Sequence, residues 1–394
     1  MYSMLLVATP FILLQSFLME TISGISGTTL PVGGLNIPVL PVVGLVLVIA
    51  AAIYFRRHIT RRLIAAVVVA VLMIALSQQI TDYYFDHNFY DLQQNWHYIA
   101  YAIFAYVMYR DLRPRGWPLA RIMLLTFFAA MFFSTFDEAF QRFMSSRVFD
   151  VSDIAKDVWG TLTGMVLVYL GGPLADDLLT GWRRLRHRRL RDYSRHAPSA
   201  LILMAVLAFL LVCTSSLLSD FEHWPLVVLL TAGGFVVFFG LFHLSQYKWC
   251  KYTLLTLAVL AVVGQGWSYA KYRASCVVHN QFGLIVYKGV PVVFFDVLVF
   301  PDGSFRLVDK KHYFNNRDQV FFLRRKPDIL LIGSGYQGRG GRGFFGTAPN
   351  QFIYNRYTRQ GTQVIILPTP EACELFNRMK RAQKNVLFVI HSTC

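Results

Sequence analysis

Charged residues are scarce in this sequence. Only 15% of its 394 residues are Asp, Glu, Lys or Arg, whereas 55% are hydrophobic. Water-soluble domains carry about 25% charged residues, so the deficit excludes a chain that is soluble throughout. The composition predicts a membrane protein.

Cysteine is also scarce, and familiar catalytic motifs are absent. The five cysteines form no CxxC pair and no zinc-binding spacing, so they indicate neither a disulfide framework nor a metal site. No HExxH, GxSxG or Walker sequence occurs. We therefore expect no cofactor and no metal, and we favour a binding protein over an enzyme.

The sequence contains many long apolar runs. Nine of them approach the ~20 residues that cross a bilayer, at 2–19, 39–55, 63–80, 97–109, 117–135, 157–171, 199–219, 225–244 and 252–270. The first run lacks the preceding basic residues of a secretory signal, so we expect a retained helix. Short strand-like runs with turns replace this pattern after residue 276.

These patterns predict a polytopic α-helical membrane protein with about nine transmembrane helices and a C-terminal soluble α/β domain. The predicted divisions are a transmembrane domain over 1–180, a basic cytoplasmic linker over 181–198, a three-helix transmembrane extension over 199–271 and the soluble domain over 276–394.

The basic residues are distributed unevenly between alternate loops. With the amino terminus inside, the inner loops hold sixteen Lys and Arg and the outer loops three. Cytoplasmic loops carry this excess, so the carboxyl-terminal domain is predicted outside a bacterial inner membrane. The basic run at 182–196 could bind anionic lipids at about 1 kcal/mol per residue, or serve only as anchor and linker. Other membrane subunits are the expected protein partners, and nucleic acid is not expected.

Charges gather between the fifth and sixth predicted helices, within 134–160. Asp153 and Asp157 are four residues apart and share a helix face, as do His97 and Tyr101 at the same predicted depth. Because ionisable groups at a membrane edge are functional candidates, we predict one polar site there. Its residues are His97, Tyr101, Asp137, Glu138, Gln141, Arg147, Asp153 and Asp157. The alternative is a solvated loop whose arginines only neutralise nearby carboxylates.

Gly160 and Gly164 have the small-xxx-small spacing that lets a second helix approach closely. With the charged residues before them, they resemble the VanZ-like membrane proteins over roughly 60–172. The matching elements are His97, Asp137, Glu138, Gln141, Arg147, Asp153, Gly160 and Gly164. Asp157 departs from the family, which usually has Asn there. The resemblance implies a location and a site, and a link to glycopeptide resistance, more than a reaction.

The carboxyl-terminal region reads as strands, with a hairpin turn at Pro301–Gly303 and buried strands in PDILLIGSG, QVIILP and NVLFVIHSTC. Thr369 is predicted to cap a helix over about 370–383. The glycine-rich loop 333–346 lacks Walker spacing and a following helix. We expect this loop, with Gly333, Gly335, Arg339 and Arg342, to contact an anion or a partner, and nucleotide binding is the alternative.

This region also resembles a second family, the ββα-layered domain of the adipogenesis-associated protein and a mitochondrial complex I assembly factor. The resemblance covers about 284–394 and rests on 299–303, 327–335, Thr369, Ala372, 376–377 and 391–394. It implies a binding or assembly module. We therefore expect an accessory or assembly subunit of a bacterial inner-membrane complex. The alternative is an envelope protein that binds or processes a lipid-linked precursor.

Overall fold

The computed structural model describes residues 28–32, 35–54, 56–57, 59–81, 92–141, 149–172, 189–218, 223–308, 313–314, 316–344 and 350–393. The chain packs into two compact units, Met1–His243 and Leu244–Cys394. Each unit is described by itself below.

The described part of the first unit is helical apart from a short antiparallel hairpin, β1 (Thr29–Val32) and β2 (Leu35–Pro38). The α-helices among its described residues are α1 (Val39–Tyr54), α2 (Arg61–Thr81), α3 (Leu92–Leu112), α4 (Leu119–Gln141), α5 (Val151–Gly171), the short α6 (Leu190–Tyr193), α7 (Ala197–Leu217) and α8 (Trp224–Leu244).

Helix α5 is the centre of this bundle and contacts α2, α3, α4 and α7. Most of its side chains are buried, including charged ones in its first two turns. The helix begins where Asp150 acts as its N-cap, with a side-chain oxygen that accepts a hydrogen bond from the Ser152 amide at 2.8 Å. The apolar core of the bundle therefore encloses the helix that carries most of the charged stretch.

Five of the described helices are long and apolar enough to cross a membrane: α2, α4 (to Phe140), α7, α8 and α9 (Lys248–Tyr272). Helix α1 contains a shorter apolar segment, Val39–Ala50. The prediction of a mostly helical chain with several membrane-length helices is confirmed. The prediction of nine membrane spans is not confirmed. The apolar run at 2–19 lies outside the described residues.

The second unit combines α9 with two sheets. The smaller is antiparallel, in the order β3 (Val277–Gln281), β4 (Leu284–Tyr287) and β5 (Val290–Val293). The larger sheet has six strands: β6 (Asp296–Val299), β7 (Phe305–Val308), β8 (Ile329–Gly333), β9 (Asn350–Asn355), β10 (Gln360–Leu367) and β11 (Val386–Ile390). Their order is β7-β6-β11-β8-β10-β9, and the helices α10 (Asn316–Arg324) and α11 (Thr369–Arg381) complete the unit.

Strand β8 lies between β11 and β10 and pairs in parallel with both, so that Leu331 is opposite Phe388 and Ile365. Strands β8 and β11 are nearly continuous apolar runs because both of their faces are covered, whereas β10 is apolar only in its second half. Helix α11 covers part of the sheet through Ala372, Cys373 and Phe376, which are buried. The predicted β-sheet region is therefore confirmed in its coarse form.

Two local predictions have different outcomes. The turn at Pro301–Gly303 joins β6 to β7, and Gly303 has the positive φ of 82° that the turn requires. The predicted helix over about 370–383 is confirmed as α11 (Thr369–Arg381), but the prediction that Thr369 caps it is wrong, because Pro368 is the N-cap. The Thr369 hydroxyl instead accepts a hydrogen bond from the Gly335 amide and donates one to the His391 carbonyl.

Candidate polar site at one end of the helix bundle

Three helix ends meet at one end of the first unit: the starts of α3 and α5 and the last two turns of α4. The end of α2 reaches the same place, since the Gln78 side chain donates a hydrogen bond to Asn95 at 2.6 Å. Polar side chains from separate parts of the chain are thereby brought together.

Asp157 is the centre of the site. One of its carboxylate oxygens lies 2.8 Å from Nδ1 of His97 on α3. The other accepts a hydrogen bond of 2.6 Å from the Ser134 hydroxyl on α4. Both carboxylate oxygens are thus paired, and three helices are tied to one side chain.

Asp153 lies one turn before Asp157, nearer the end of the bundle. One of its oxygens is 3.3 Å from the Lys156 ammonium, which is buried. Its other oxygen is 3.7 Å from Nε2 of His97, which is an ion-pair distance but too long for a hydrogen bond. The side chains of His97 and Asp153 are each 22% exposed, so this edge of the site is open.

Glu138 forms a second contact between α4 and the start of α5. It is 1% exposed, and its carboxylate accepts a hydrogen bond of 3.0 Å from the Asp150 backbone amide. Because Asp150 also caps α5, this bond holds the cap against α4. The acidic residues therefore connect neighbouring helices.

For the other predicted site residues within the described chain, the structure gives no direct bond to Asp157. Tyr101 is buried one turn along α3 from His97, and its ring packs against Phe104 with centroids 5.9 Å apart. Asp137 is half-buried on α4, beside Glu138 in the chain. Gln141 ends α4 but its side chain lies outside the described part of the chain, and so does all of Arg147.

Gly160 and Gly164 lie where α3 approaches α5. A Cβ atom on Gly160 would be 2.8 Å from Cα of Tyr98, and one on Gly164 would be 2.5 Å from the carbonyl oxygen of Ala102. These distances are shorter than side chains allow, so only glycine permits this approach. The close contact brings His97 to Asp157, one turn before Gly160.

Sequence reasoning missed Ser134, Asp150 and Lys156 as members of the site. Ser134 is four residues before Glu138 on α4, and Lys156 is three residues after Asp153 on α5, so helical spacing could have indicated both. Within the described residues, no three His, Cys, Asp or Glu side chains are grouped as metal ligands would be.

The glycine-rich loop of the second unit is separate from this site. Gly333 ends β8, and a Cβ there would be 2.9 Å from the Thr369 hydroxyl. Gly335 has a φ of 89° and bonds to Thr369, while Gly340 and Gly341 are buried beside His391 and Ile332. Arg339 and Arg342 are exposed, so the described part of the loop is packed and presents its two arginines outward.

Comparison with known protein families and with curated proteins finds no match. Among solved structures, one named "MT938" is 24% identical; the similarity covers 30% of this chain and 99% of that one, with a TM-score of 0.24. A TM-score this low supports no statement about fold or function.

Proposed function

We propose that this protein is a multi-pass membrane protein that acts by binding, as an accessory or assembly subunit of a complex in a bacterial inner membrane. In this proposal about nine helices cross the membrane and the β-sheet unit lies on its outer face. The polar site of α3, α4 and α5 holds the helices together at the outer membrane edge.

The observation that best supports the proposal is the exposure of helix α9. The helix is 25 residues long and apolar, and none of its residues, all of them described, is buried. Trp249 and Trp267 are 88% and 73% exposed near its two ends, separated by about 27 Å at 1.5 Å per residue. This distance fits a hydrocarbon layer of about 30 Å with aromatic residues at both interfaces.

Within the second unit, helix α9 bonds to the turn between β4 and β5 of the smaller sheet. The side chains of Gln265 and Ser268 both donate hydrogen bonds to the Gly289 carbonyl, at 3.1 and 2.8 Å. A membrane helix whose uncovered surface can meet lipid or another helix is thus attached to a folded sheet. Such an arrangement suits a subunit that brings a binding module to a membrane complex, which the resemblance to an assembly factor also implies.

The charges of the first unit support the proposed orientation. Arg61, Arg110, Arg121 and Arg195 all lie at the end of the bundle opposite the polar site, where α2, α4 and α7 begin and α3 ends. At the end with the polar site, Lys156 is the only Lys or Arg among the described residues. An excess of basic residues on one side favours that side as cytoplasmic.

The internal pairing of the polar site favours a binding role over catalysis. Asp157 bonds to both His97 and Ser134, and Lys156 neutralises Asp153. A general base must reach a proton on its substrate, whereas the Asp157 side chain is 5% exposed and both its oxygens are occupied. The arrangement is suited to fixing helix positions.

Purification of the tagged full chain in a mild detergent tests this proposal. We expect other membrane proteins to co-purify in stoichiometric amounts. The variant Gly264→Leu adds a bulky side chain on α9 where nothing of the chain lies within 4 Å. It should leave the fold intact, so any loss of a co-purifying protein would come from a blocked partner helix and not from unfolding. A chain that purifies alone at every detergent strength would contradict the proposal.

A reporter experiment tests the orientation independently. Alkaline phosphatase, which is active only outside the cytoplasm, should be active when fused after residue 393 and inactive when fused at 190. The opposite pattern would contradict an outer β-sheet unit while leaving the binding role intact.

The second candidate function is recognition of a lipid-linked envelope precursor, as the resemblance to VanZ-like proteins implies. The open edge formed by His97 and Asp153 favours it, since a polar headgroup could reach both side chains. A lipid-linked sugar that co-purifies with the parent but not with His97→Asn would support this function over the first.

A further inference from the structure

A cleft of about 810 Å³ opens at the end of the first unit opposite the polar site. It lies between the start of α4 and the segment that joins α6 to α7. Its mouth is lined by Trp117, Arg121, Ser194 and Arg195, and its wall by Leu125 and Phe128. The volume is in the range of ligand-binding pockets.

An apolar groove of about 220 Å³ continues from this cleft. Leu124, Phe128 and Ser194 border both spaces. The groove runs between α4, α7 and α8 and is walled by Leu203, Leu207 and Phe239. The combined space thus has a polar, basic mouth and a hydrocarbon-like interior.

The two arginines at the mouth are available to an anion. The Arg121 guanidinium lies over the Trp117 ring, 4.0 Å from its centroid, which fixes its plane and leaves its N–H edge for hydrogen bonds. Arg195 is exposed on the facing segment. Within the described residues, no carboxylate lies at ion-pair distance from either guanidinium.

We infer that this cleft binds one membrane phospholipid with an anionic headgroup. The phosphate would accept charge-assisted hydrogen bonds from Arg121 and Arg195, and an acyl chain would lie in the groove beside Phe128. Basic pockets between helices on the cytoplasmic side suit anionic lipid headgroups. A free phosphate would leave the groove unfilled, and a zwitterionic lipid would place a second cation beside the arginines.

This inference rests on the proposed membrane location and adds a ligand to it. It differs from general attraction of the basic run 182–196 to a charged surface, because it requires two particular arginines and an apolar groove. It therefore predicts a stoichiometry of one lipid and a selectivity between headgroups.

Native mass spectrometry of the delipidated full chain in detergent tests the inference. We expect one molecule of dioleoyl phosphatidylglycerol to bind at least tenfold more tightly than dioleoyl phosphatidylcholine. The double variant Arg121→Gln with Arg195→Gln should lose that preference. The matched control, Arg113→Gln with Arg191→Gln, removes two exposed arginines of the same unit that do not line the cleft, and it should keep the preference.

Three outcomes would overturn the inference. They are equal binding of the two lipids, unchanged preference in the cleft variant, and displacement of the lipid by glycerol phosphate alone at matched concentration, which would indicate an anion site without an acyl groove. Thermal unfolding of both double variants verifies that each is folded. A chain that stays soluble without detergent would instead contradict the membrane location itself, so the two failures are distinguishable.

Discussion

His97 Nδ1 and Asp157 Oδ1 lie 2.8 Å apart although 60 residues separate them in the chain. The contact is possible because Gly160 and Gly164 let α3 lie directly against α5. The same carboxylate holds Ser134 of α4 at 2.6 Å. A single buried acidic residue therefore joins three helices of the bundle.

Replacing this carboxylate should destabilise the bundle strongly. Asp157→Ala leaves His97 and Ser134 without their shared acceptor, and removal of one member of a buried pair costs about 3–5 kcal/mol. Asp111→Ala is the matched control, since it removes the partner of Arg115 from an exposed pair worth about 0–1 kcal/mol. Thermal unfolding in detergent should show a large decrease in Tm for the first variant alone.

Asp157→Asn should be much milder than Asp157→Ala. The amide keeps an oxygen that can accept the Ser134 hydrogen bond. Equal melting of Asp157→Ala and the Asp111 control would show that the polar cluster does not stabilise the helices.

The contact between α3 and α5 should be sensitive to the volume of the side chains on α5. Gly164→Ala places a methyl group 2.5 Å from the Ala102 carbonyl oxygen, and overpacking of this kind costs about 1–3 kcal/mol. Gly233→Ala on α8 meets nothing within 4 Å, so it should be neutral or slightly stabilising. We expect Tm to fall only for Gly164→Ala, and a similar Tm for both would mean that α3 lies further from α5.

The helices were predictable where apolar runs are uninterrupted. The run 63–80 corresponds to α2 (Arg61–Thr81), and 225–244 corresponds to α8 (Trp224–Leu244). The sixth apolar run begins at 157, whereas α5 begins at Val151, because charged residues of its first turns are buried by neighbouring helices. A hydropathy pattern cannot report that kind of burial, which arises only from tertiary contacts.

Part of the site was predictable from its ionisable residues, whereas Asp150, Lys156 and the Ser134 hydroxyl were not predicted. Charges in an apolar sequence are conspicuous, so His97, Asp153 and Asp157 could be proposed together. Ser134 is one of many small residues in apolar helices, and only the approach of α5 to α4 gives it a role. Likewise, Thr369 has the local pattern of a helix cap, yet β8 and β11 bring Gly335 and His391 close enough to bond it.

The Thr369 contacts give a prediction for the second unit. Thr369→Val keeps the volume but leaves the Gly335 amide and the His391 carbonyl without this partner, at about 1–3 kcal/mol for a buried polar group. Amide hydrogen exchange of peptides that contain Gly335 should accelerate. Thr358→Val, in the half-buried turn before β10, should leave that exchange unchanged, and unchanged exchange in Thr369→Val would contradict the prediction.

Two cysteines of the second unit should differ in reactivity. Burial raises the pKa of the Cys373 thiol to about 12, and the side chain is 1% exposed. Burial also raises the pKa of Cys276, but Lys380, Lys288 and Arg381 oppose the increase and the residue is only half-buried. Since the thiolate is the reactive form, the Cys373 thiol should stay protonated and unreactive at pH 8.

Single-cysteine versions of the full chain can measure this difference. With only Cys276 present, maleimide should label the folded protein at pH 8, and the rate should rise with pH as more thiolate forms. With only Cys373 present, labelling should require unfolding, because both the charge state and access to the α11 face that packs on the sheet oppose it. Labelling of both versions in denaturant is the control for reagent quality. If Cys373 reacts in the folded protein as fast as Cys276, then α11 does not stay packed against the sheet and the described core of the second unit opens in solution.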